Sequence, residues 1–230
     1  MLTICDNETK GFFVMFPFFS AKEKEQVIRN TRSVVYRKGA TIFSEGEMPD
    51  GLVYLSSGKV KICRKGILDK EQILRVARSC QLLGFRALCA DEPYRASAKA
   101  FDASMVCTVE KECFLSLMKD NSAFAIAMLQ HAARVLGDAD GRTVSLLQKH
   151  LRARLADSLL LLANAYGMED DHQTLCCQIS RSDLANLSNM TTPNAIRTLS
   201  TFQEEGLVSF NRYAICLLNI PAICHISSHG

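Results

Sequence analysis

One run near the carboxyl end, residues 180–208, constrains the fold more than any other part of the chain. It carries the start signals of two short helices. Ser180, with Asp183 three residues later, has the spacing of a capping box, in which a hydroxyl and a carboxylate satisfy the free N–H groups of a helix start. Thr192 followed by Pro193 predicts a second start. The Thr192 hydroxyl is the predicted N-cap, and the fixed φ of Pro193 suits the first helical position. The run therefore predicts two helices joined by a brief polar turn.

The apolar residues of this run recur at helical spacing and predict which faces are buried. Leu184 and Leu187 face inward from the first predicted helix, and Ile196 and Leu199 face inward from the second. Gly206 supplies a left-handed stop for the second helix. Two helices with these faces form a helix-turn-helix.

Polar residues occupy the outer face of the pair, mostly at the start of the second helix. This is the part of a helix-turn-helix that meets base edges in a DNA major groove. A helix that docks a protein exposes aromatic or aliphatic anchors instead, and two amphipathic helices of an ordinary helical domain are the plain alternative. The predicted DNA contacts are Ser180, Arg181, Ser182, Thr191, Thr192, Pro193, Asn194, Arg197 and Ser200.

The segment after Gly206, LVSFNRYAICLLNI, contains two short β-type runs around Asn211 and Arg212. Such runs predict a small hairpin, which turns the helix pair into a winged helix-turn-helix. Asn-Arg is a poorer tight turn than Asn-Gly. A basic patch precedes the helix pair, at Arg142, Lys149, His150, Arg152 and Arg154.

Composition excludes several classes of protein. An apolar content of 48% is ample for packed cores, and a net charge of +3 provides no extended basic tail for nucleic acid. Ten cysteines without a signal peptide indicate a reduced, cytoplasmic chain, and no segment is long enough to span a membrane. We expect that the protein is not an enzyme, because the sequence has no phosphate-binding glycine loop, no zinc-ligand spacing and no nucleophile elbow.

The hydrophobic pattern changes twice along the chain. Residues 34–108 hold short β-type runs punctuated by glycines, which predicts a compact antiparallel sheet, sandwich or barrel. Residues 122–166 form a long helical stretch whose apolar stripe has to be buried against the β domain, against a second copy of the chain, or both. Gly137 and Gly141 inside this stretch indicate either close helix approach or a bend.

A β-rich domain, a long helix and a terminal winged helix-turn-helix together resemble the Crp–Fnr family of bacterial transcription regulators, over nearly the whole chain. The resemblance is strongest in the helix pair, in YRKGATIFSEGEMPDGLVYLSSGKVKI and in the LGF…YRASAKA segment. It implies an α+β fold whose N-terminal β roll is of the cyclic-nucleotide-binding type, with glycine turns at Gly46, Gly58 and Gly84. The implied parts are an effector domain at residues 1–121, a long dimerisation helix and hinge at 122–150, and a winged helix-turn-helix domain at 151–230.

The resemblance also implies an effector site, from which this chain departs. The family's cyclic-AMP cassette reads roughly Gly-Glu-Leu, about ten residues, then Arg-Ser-Ala. Here Phe85 replaces the glutamate and Ala96 the serine, while Arg95 keeps the position of the phosphate-binding arginine. The lost hydrogen-bond partners argue against cyclic AMP and leave Arg95 as a site for another anion or as a structural residue. The implied effector residues are Gly84, Phe85, Arg86, Arg95, Ala96, Ser97, Ala139 and Asp140.

Other cofactors of the family receive little support from the residues. Its oxygen sensors resemble one another in a tight N-terminal cysteine cluster, and this chain has only Cys5 there, which argues against an iron–sulfur cluster. Haem stays open, because His131 on the long helix is a plausible axial ligand and Met128 lies one turn away. A lone histidine on an apolar helix is more often structural. No metal site is predicted.

These features together favour a homodimeric transcription regulator that binds an inverted repeat in double-stranded DNA, with RNA polymerase and an unidentified small effector as its other partners. Pro193 stands where the family commonly has glutamate, so the operator should differ from that of the cyclic-AMP regulator. Two alternatives stay open. One is a haem- or redox-responsive regulator of the same fold, and the other is a ligand-binding regulatory subunit whose C-terminal helices dock a protein.

Overall fold

The computed structural model describes residues 3–66, 71–211 and 214–229, with side chains from residue 9 onward. The chain forms two compact units: residues 1–64 and 76–138 make the first, and residues 65–75 and 139–230 make the second. Within the described ranges, no helix is long and apolar enough to cross a membrane.

The first unit is a β roll flanked by helices, as the resemblance predicts. Its helices are α1 (Thr3–Met15), α2 (Ala21–Arg29), α3 (Phe85–Ala90) and α4 (Lys111–Asp120). The strands of the roll are β1 (Thr31–Tyr36), β2 (Thr41–Phe43), β3 (Gly51–Ser57), β4 (Lys59–Lys65), β5 (Glu71–Arg78), β6 (Gln81–Leu83), β7 (Ser97–Ala100) and β8 (Ser104–Glu110). The division into units assigns the last residue of β4 and the first five residues of β5 to the second unit.

These strands form two four-stranded sheets, in the orders β1-β8-β3-β6 and β2-β7-β4-β5. The strand pairs with a described register are antiparallel. The predicted glycine turns at Gly46, Gly58 and Gly84 all have positive φ, of 90°, 98° and 62°. At Gly58 a Cβ would lie 2.5 Å from the carbonyl oxygen of Ala103, so this turn excludes any side chain.

Strand β3 has a hydrophobic core on each of its two faces, because successive side chains of a strand point to opposite sides. Leu52 and Tyr54 join a core built with the phenylalanines of α1 and with Phe124 of the long helix. Val53 and Leu55 join a second core. The β-type run LVYL reads as continuously apolar because both of its faces are buried.

The long helix α5 (Ser122–Gln148) contributes to both units. In the first unit, Phe124 and Met128 are buried in the roll's core, and Val135 packs partly against it. Leu129 and Leu136 lie on another face of the helix and are 70% and 63% exposed. The apolar stripe that the sequence predicts therefore divides into two faces of the helix. The face with Phe124 and Met128 already packs against the core of its own chain.

The second unit surrounds α6 (Leu151–Tyr166), whose leucines at 155, 159 and 162 are fully buried. Around it lie the helices α7 (Arg181–Leu187) and α8 (Thr192–Glu204) and the strands β9 (Val208–Phe210) and β10 (Ile215–Leu217). A terminal helix α9 (Ile220–His229), for which no pattern was identified in the sequence, packs against α6.

One carboxylate links three helices of this second unit. Asp157 on α6 accepts hydrogen bonds from Ser145 in α5, from Lys149 directly after α5, and from Ser227 in α9. Burial alone would raise the pKa of Asp157, but the hydrogen bonds from Lys149, Ser145 and Ser227 outweigh it and lower the pKa below its ordinary value. The C-terminal helix is thereby fixed to the end of the long helix.

Candidate nucleic-acid interface and effector cassette

Helix α7 begins where the sequence predicts. Ser180 is its N-cap, and its hydroxyl accepts a hydrogen bond from the Asp183 backbone N–H at 3.0 Å and donates to the Asp183 carboxylate at 2.8 Å. Leu184 and Leu187 are fully buried, as their spacing predicts. The cap and the apolar pair together fix both the start and the inner face of α7.

Helix α8 begins one residue earlier than the sequence indicates. The N-cap is Thr191, whose hydroxyl accepts from the Asn194 backbone N–H at 3.4 Å, while Thr192 is already the first helical residue. Pro193 is then the second helical residue, where a missing N–H costs nothing because the N–H groups of the first turn have no intrahelical partner. The prediction of Thr192 as the cap was wrong for this reason. The predicted stop is confirmed, since Gly206 has a φ of 70°.

The inner face of α8 differs from the predicted one at one position. Ala195, Leu199 and Phe202 are buried, but Ile196 is 45% exposed. Successive residues of a helix are rotated by about 100°, so a buried row through 195, 199 and 202 turns residue 196 away from the core. The prediction that Ile196 is buried was wrong.

The predicted DNA contacts of α8 lie around its first two turns. Thr191, Pro193 and Arg197 are exposed, and Thr192, Asn194 and Ser200 are half-buried. No carboxylate among the described residues lies within ion-pair distance of the Arg197 guanidinium. This surface therefore presents a planar five-donor fork, with hydroxyl and amide groups beside it.

The predicted contacts at the start of α7 have partners within the chain. The Ser182 hydroxyl lies 2.9 Å from that of Ser180, inside the helix cap. Arg181 stacks on the Phe210 ring, with 4.6 Å between the guanidinium carbon and the ring centroid, and donates to the Asn211 carbonyl oxygen at 2.9 Å. Burial lowers the pKa of Arg181. This arginine connects the first helix of the pair to the hairpin.

The hairpin predicted after Gly206 is present. Strands β9 and β10 pair antiparallel, with Phe210 opposite Ile215. Asn211 and Ala214 close the turn by two hydrogen bonds, from the Asn211 N–H to the Ala214 carbonyl and from the Ala214 N–H to the Asn211 side chain. Arg212 lies outside the described residues. Asn211 and Ala214 thus mark the two ends of the connection between β9 and β10.

The effector cassette, residues 84–97, begins at a tight approach between backbone and ring. A Cβ on Gly84 would lie 2.4 Å from the Tyr94 ring, and Tyr94 is itself buried and stacked on Phe43 with 3.9 Å between ring centroids. Phe85 is buried in the first unit's core, and its ring lies 4.7 Å from that of His131. Aromatic side chains of the protein itself thus line the interior of the cassette.

The arginines of the cassette share one carboxylate. Arg95 donates to Glu92 from Nη2 at 2.8 Å and from Nε at 3.0 Å, and Arg86 lies 3.5 Å from the same oxygen. Ala96 carries no donor, and the Ser97 hydroxyl accepts from the Glu45 backbone N–H at 2.9 Å.

Two residues of the cassette bear on the binding of a cyclic nucleotide. Phe85 offers no acceptor for a ribose hydroxyl, and the guanidinium of Arg95 already has an anion. The remaining predicted effector residues, Ala139 and Asp140, are exposed on α5 and belong to the second unit.

The haem alternative rests on Met128 and His131. Met128 is 2% exposed and belongs to the first core, while the His131 ring packs against Phe85. Among the residues that the structure describes, histidine, cysteine and carboxylate side chains form no group of three or more that could hold a metal ion. Cys63, Cys107 and Cys113 are buried, which suits small core residues.

Comparison with known families agrees with the roll and the helix pair. The profile of the cyclic nucleotide-binding domain matches residues 33–121, and that of the Crp-like helix-turn-helix domain matches residues 153–226. The chain belongs to the Crp–Fnr family of transcription regulators.

Individual relatives of the Crp–Fnr family cover most of the chain. The Cyclic AMP receptor protein of Thermus thermophilus is 26% identical over 195 residues, covering 84% of this chain and 87% of the relative. The Fumarate and nitrate reduction regulatory protein of Escherichia coli is 24% identical over 195 residues, covering 84% and 77%. A solved structure of a putative Crp/Fnr regulator from Eubacterium rectale has a TM-score of 0.78 at 20% identity, covering 95% of this chain and all of that one.

Most residues of the basic patch upstream of the helix pair make contacts within this Crp–Fnr regulator and do not form an exposed positive surface. Arg142 donates to the Leu187 carbonyl at 2.8 Å and Arg154 to the Asn189 carbonyl at 2.9 Å, at the end of α7 and in the turn after it. Lys149 pairs with Asp157. Arg152 forms a bidentate pair with Glu205 that lowers the pKa of that carboxyl. The partners are separated along the chain and meet only in the folded unit, so the sequence pattern does not reveal them.

Proposed function

We propose that this Crp–Fnr regulator is a cytoplasmic homodimer that binds an inverted-repeat DNA operator and controls transcription by RNA polymerase in response to a small effector other than cyclic AMP. The observation that carries the proposal is the outer face of α8. It leaves Arg197 exposed and without an ion-pair partner among the described residues, beside polar groups suited to base edges.

The chemistry of this face fits a DNA major groove. Arg197 can donate to guanine O6 and N7 together, or hold a phosphate, and Asn194 can pair with adenine N6 and N7. The methyl group of Thr192 suits a thymine methyl. Pro193 provides no acceptor for cytosine N4, so we expect an operator unlike that of relatives with glutamate at this position.

A second copy of the chain is the proposed partner of the exposed face of α5. Ile126, Leu129 and Leu136 are 56%, 70% and 63% exposed, and with the exposed Ala133 they recur at alternating spacings of three and four. That spacing is typical of a coiled-coil seam. A Cβ on Gly137 would meet no neighbouring element among the described residues within 4 Å, which leaves room for a close helix partner.

The dimer is tested by Leu136→Asp, which places a charge in the proposed seam. Val135 is a poorer choice, because it packs partly against the core of its own unit. We expect sedimentation velocity at micromolar concentration to show a dimer for the wild type and a monomer for the variant, with unchanged circular dichroism. Leu115→Asp, at a 47% exposed residue of α4, is the matched control and should stay dimeric. A monomeric wild type would remove the proposal.

The effector is proposed to be other than cyclic AMP because the cassette has no acceptor at Phe85 and because Glu92 pairs with Arg95. Relatives named for cyclic AMP and for fumarate and nitrate reduction match this chain at similar identity, so identity does not choose between them. The packing of His131 against Phe85 favours a structural role for this histidine over ligation of haem.

DNA binding is tested by selecting bound sequences from random DNA with the full-length protein, with and without small molecules from a cell extract. We expect an inverted repeat whose half-sites lie about one helical turn apart, because a two-fold dimer presents two copies of α8. Failure to enrich any sequence, together with capture of a protein through α8, would favour the regulatory-subunit alternative.

A further inference from the structure

Ile196 is an exposed apolar residue on the otherwise polar surface of the helix pair. Among the residues of α7 and α8, all of which the structure describes, it is the only large apolar side chain that is exposed. The fold does not use it, since Ala195, Leu199 and Phe202 form the buried row of α8. A β-branched residue also lowers helix propensity slightly, so neither packing nor helix formation accounts for isoleucine here.

The neighbours of Ile196 are the residues already proposed to face DNA. Thr192 lies one turn before it and Ser200 one turn after it, at the i−4 and i+4 positions that share a helix face. Pro193 lies three residues before it and is also exposed. Pro193 and Ile196, here named the apolar patch, therefore form an apolar island within the polar outer face of α8. This island is smaller than the cluster of aromatic or aliphatic anchors that a protein-docking helix exposes.

We infer that the apolar patch reads DNA, with Ile196 packing against the C5 methyl group of a thymine in each half-site. The thymine methyl is the apolar group that distinguishes this base in the major groove, and apolar side chains recognise it by contact. Cytosine lacks that methyl group, so the patch would favour thymine over cytosine. The inference rests on the proposed function, in which α8 enters the major groove.

The test removes the methyl group from the DNA and the side chain from the protein, separately and together. The probe is the best sequence selected from random DNA, with each thymine of a half-site replaced in turn by uracil, which differs only by the missing methyl. Symmetric replacement of the contacted thymine should weaken wild-type binding about 15-fold, which is about fourfold per half-site for one buried methyl. Ile196→Ala should weaken binding to the thymine DNA similarly and should lose its sensitivity to uracil.

Leu218→Ala is the matched control, because Leu218 is 46% exposed and follows β10 outside the helix pair. It should bind both DNAs as the wild type does. Ile196→Val should keep most of the sensitivity to uracil. Thermal melting of Ile196→Ala checks that the fold is intact.

Two results separate the inference from the function beneath it. If Ile196→Ala is as sensitive to uracil as the wild type at every thymine, the apolar patch does not read the methyl, whatever Arg197→Ala does. If Arg197→Ala also binds the selected DNA unchanged, α8 is not the reading helix and the proposed function fails with the inference.

Discussion

The outer face of α8 and the effector cassette each carry an exposed arginine in a position that could take a ligand, and the two arginines have opposite surroundings. Arg95 is paired with Glu92, which also lies 3.5 Å from Arg86. Arg197 has no carboxylate among the described residues within ion-pair distance. The guanidinium of Arg95 thus has an ion-pair partner in its own chain, whereas that of Arg197 is left for another molecule.

This contrast follows from local sequence. Glu92 precedes Arg95 by three residues, which brings a carboxylate within reach of the guanidinium. The positions three and four residues from Arg197 are Pro193, Asn194, Ser200 and Thr201, none of which is acidic. An unpaired arginine on a capped helix is therefore a stronger sign of an anion or base contact than an arginine at a family position.

Arg197→Ala should have the largest effect of the three arginine substitutions on DNA affinity. Loss of a base contact should cost about 1–3 kcal/mol per half-site and relax one operator position, whereas loss of a phosphate contact should weaken all sequences equally and reduce the salt slope. Binding to the selected operator and to single-base variants, measured at several salt concentrations, separates the two. The exposed Arg78 gives the control Arg78→Ala, and an unchanged affinity of Arg197→Ala would contradict the contrast drawn above.

The sequence predicts elements whose signals are local. Ser180, Asp183 and Gly206 mark the ends of the helix pair because caps and left-handed stops involve residues within one turn. The paired β-type runs around Asn211 predict the hairpin for the same reason. The sequence predicts the cap of α8 one residue late, because a proline suits either of the first two helical positions.

Features that depend on distant residues were not predicted. Ile196 was assigned to the core because its spacing from Leu199 fits a buried face, but tertiary packing chose Ala195 and Phe202 instead. The partners of the basic patch were not predicted either, because Arg152 meets Glu205 and Arg142 meets Leu187 far along the chain. The hydrophobic pattern predicts that a segment is helical, but only tertiary packing decides which face of the helix is buried.

Arg181→Ala should have an intermediate effect, because Arg181 is held by Phe210 and Asn211 rather than left exposed for DNA. Loss of the stacking and of the hydrogen bond should loosen the β9–β10 hairpin by about 1–2 kcal/mol. We expect faster amide hydrogen exchange in the hairpin and a modest loss of DNA affinity that is uniform across sequences.

Arg181→Lys distinguishes this positioning role from a direct phosphate contact. Lysine keeps the charge but not the planar fork that stacks on a ring while donating to a carbonyl. Fast exchange in the hairpin should therefore persist in Arg181→Lys. If lysine restores both exchange and affinity, Arg181 acts through its charge and the assignment to the hairpin is wrong.

Arg95→Ala should have the smallest effect, and it tests the other side of the comparison. The pair with Glu92 is exposed to solvent, so its loss should change stability by less than about 1 kcal/mol and leave DNA affinity within twofold of the wild type. Calorimetry of the wild type with cyclic AMP should show no binding at micromolar concentration.

Glu92→Gln is the sharper variant, because it frees Arg86 and Arg95 together. If Glu92 stands in for a ligand anion, this variant should bind inorganic phosphate at low salt, and Arg95→Ala in the same background should abolish that binding. Micromolar binding of cyclic AMP by the wild type, lost in Arg95→Ala, would instead mean that the cassette opens to a nucleotide, and the difference between the two arginines would disappear.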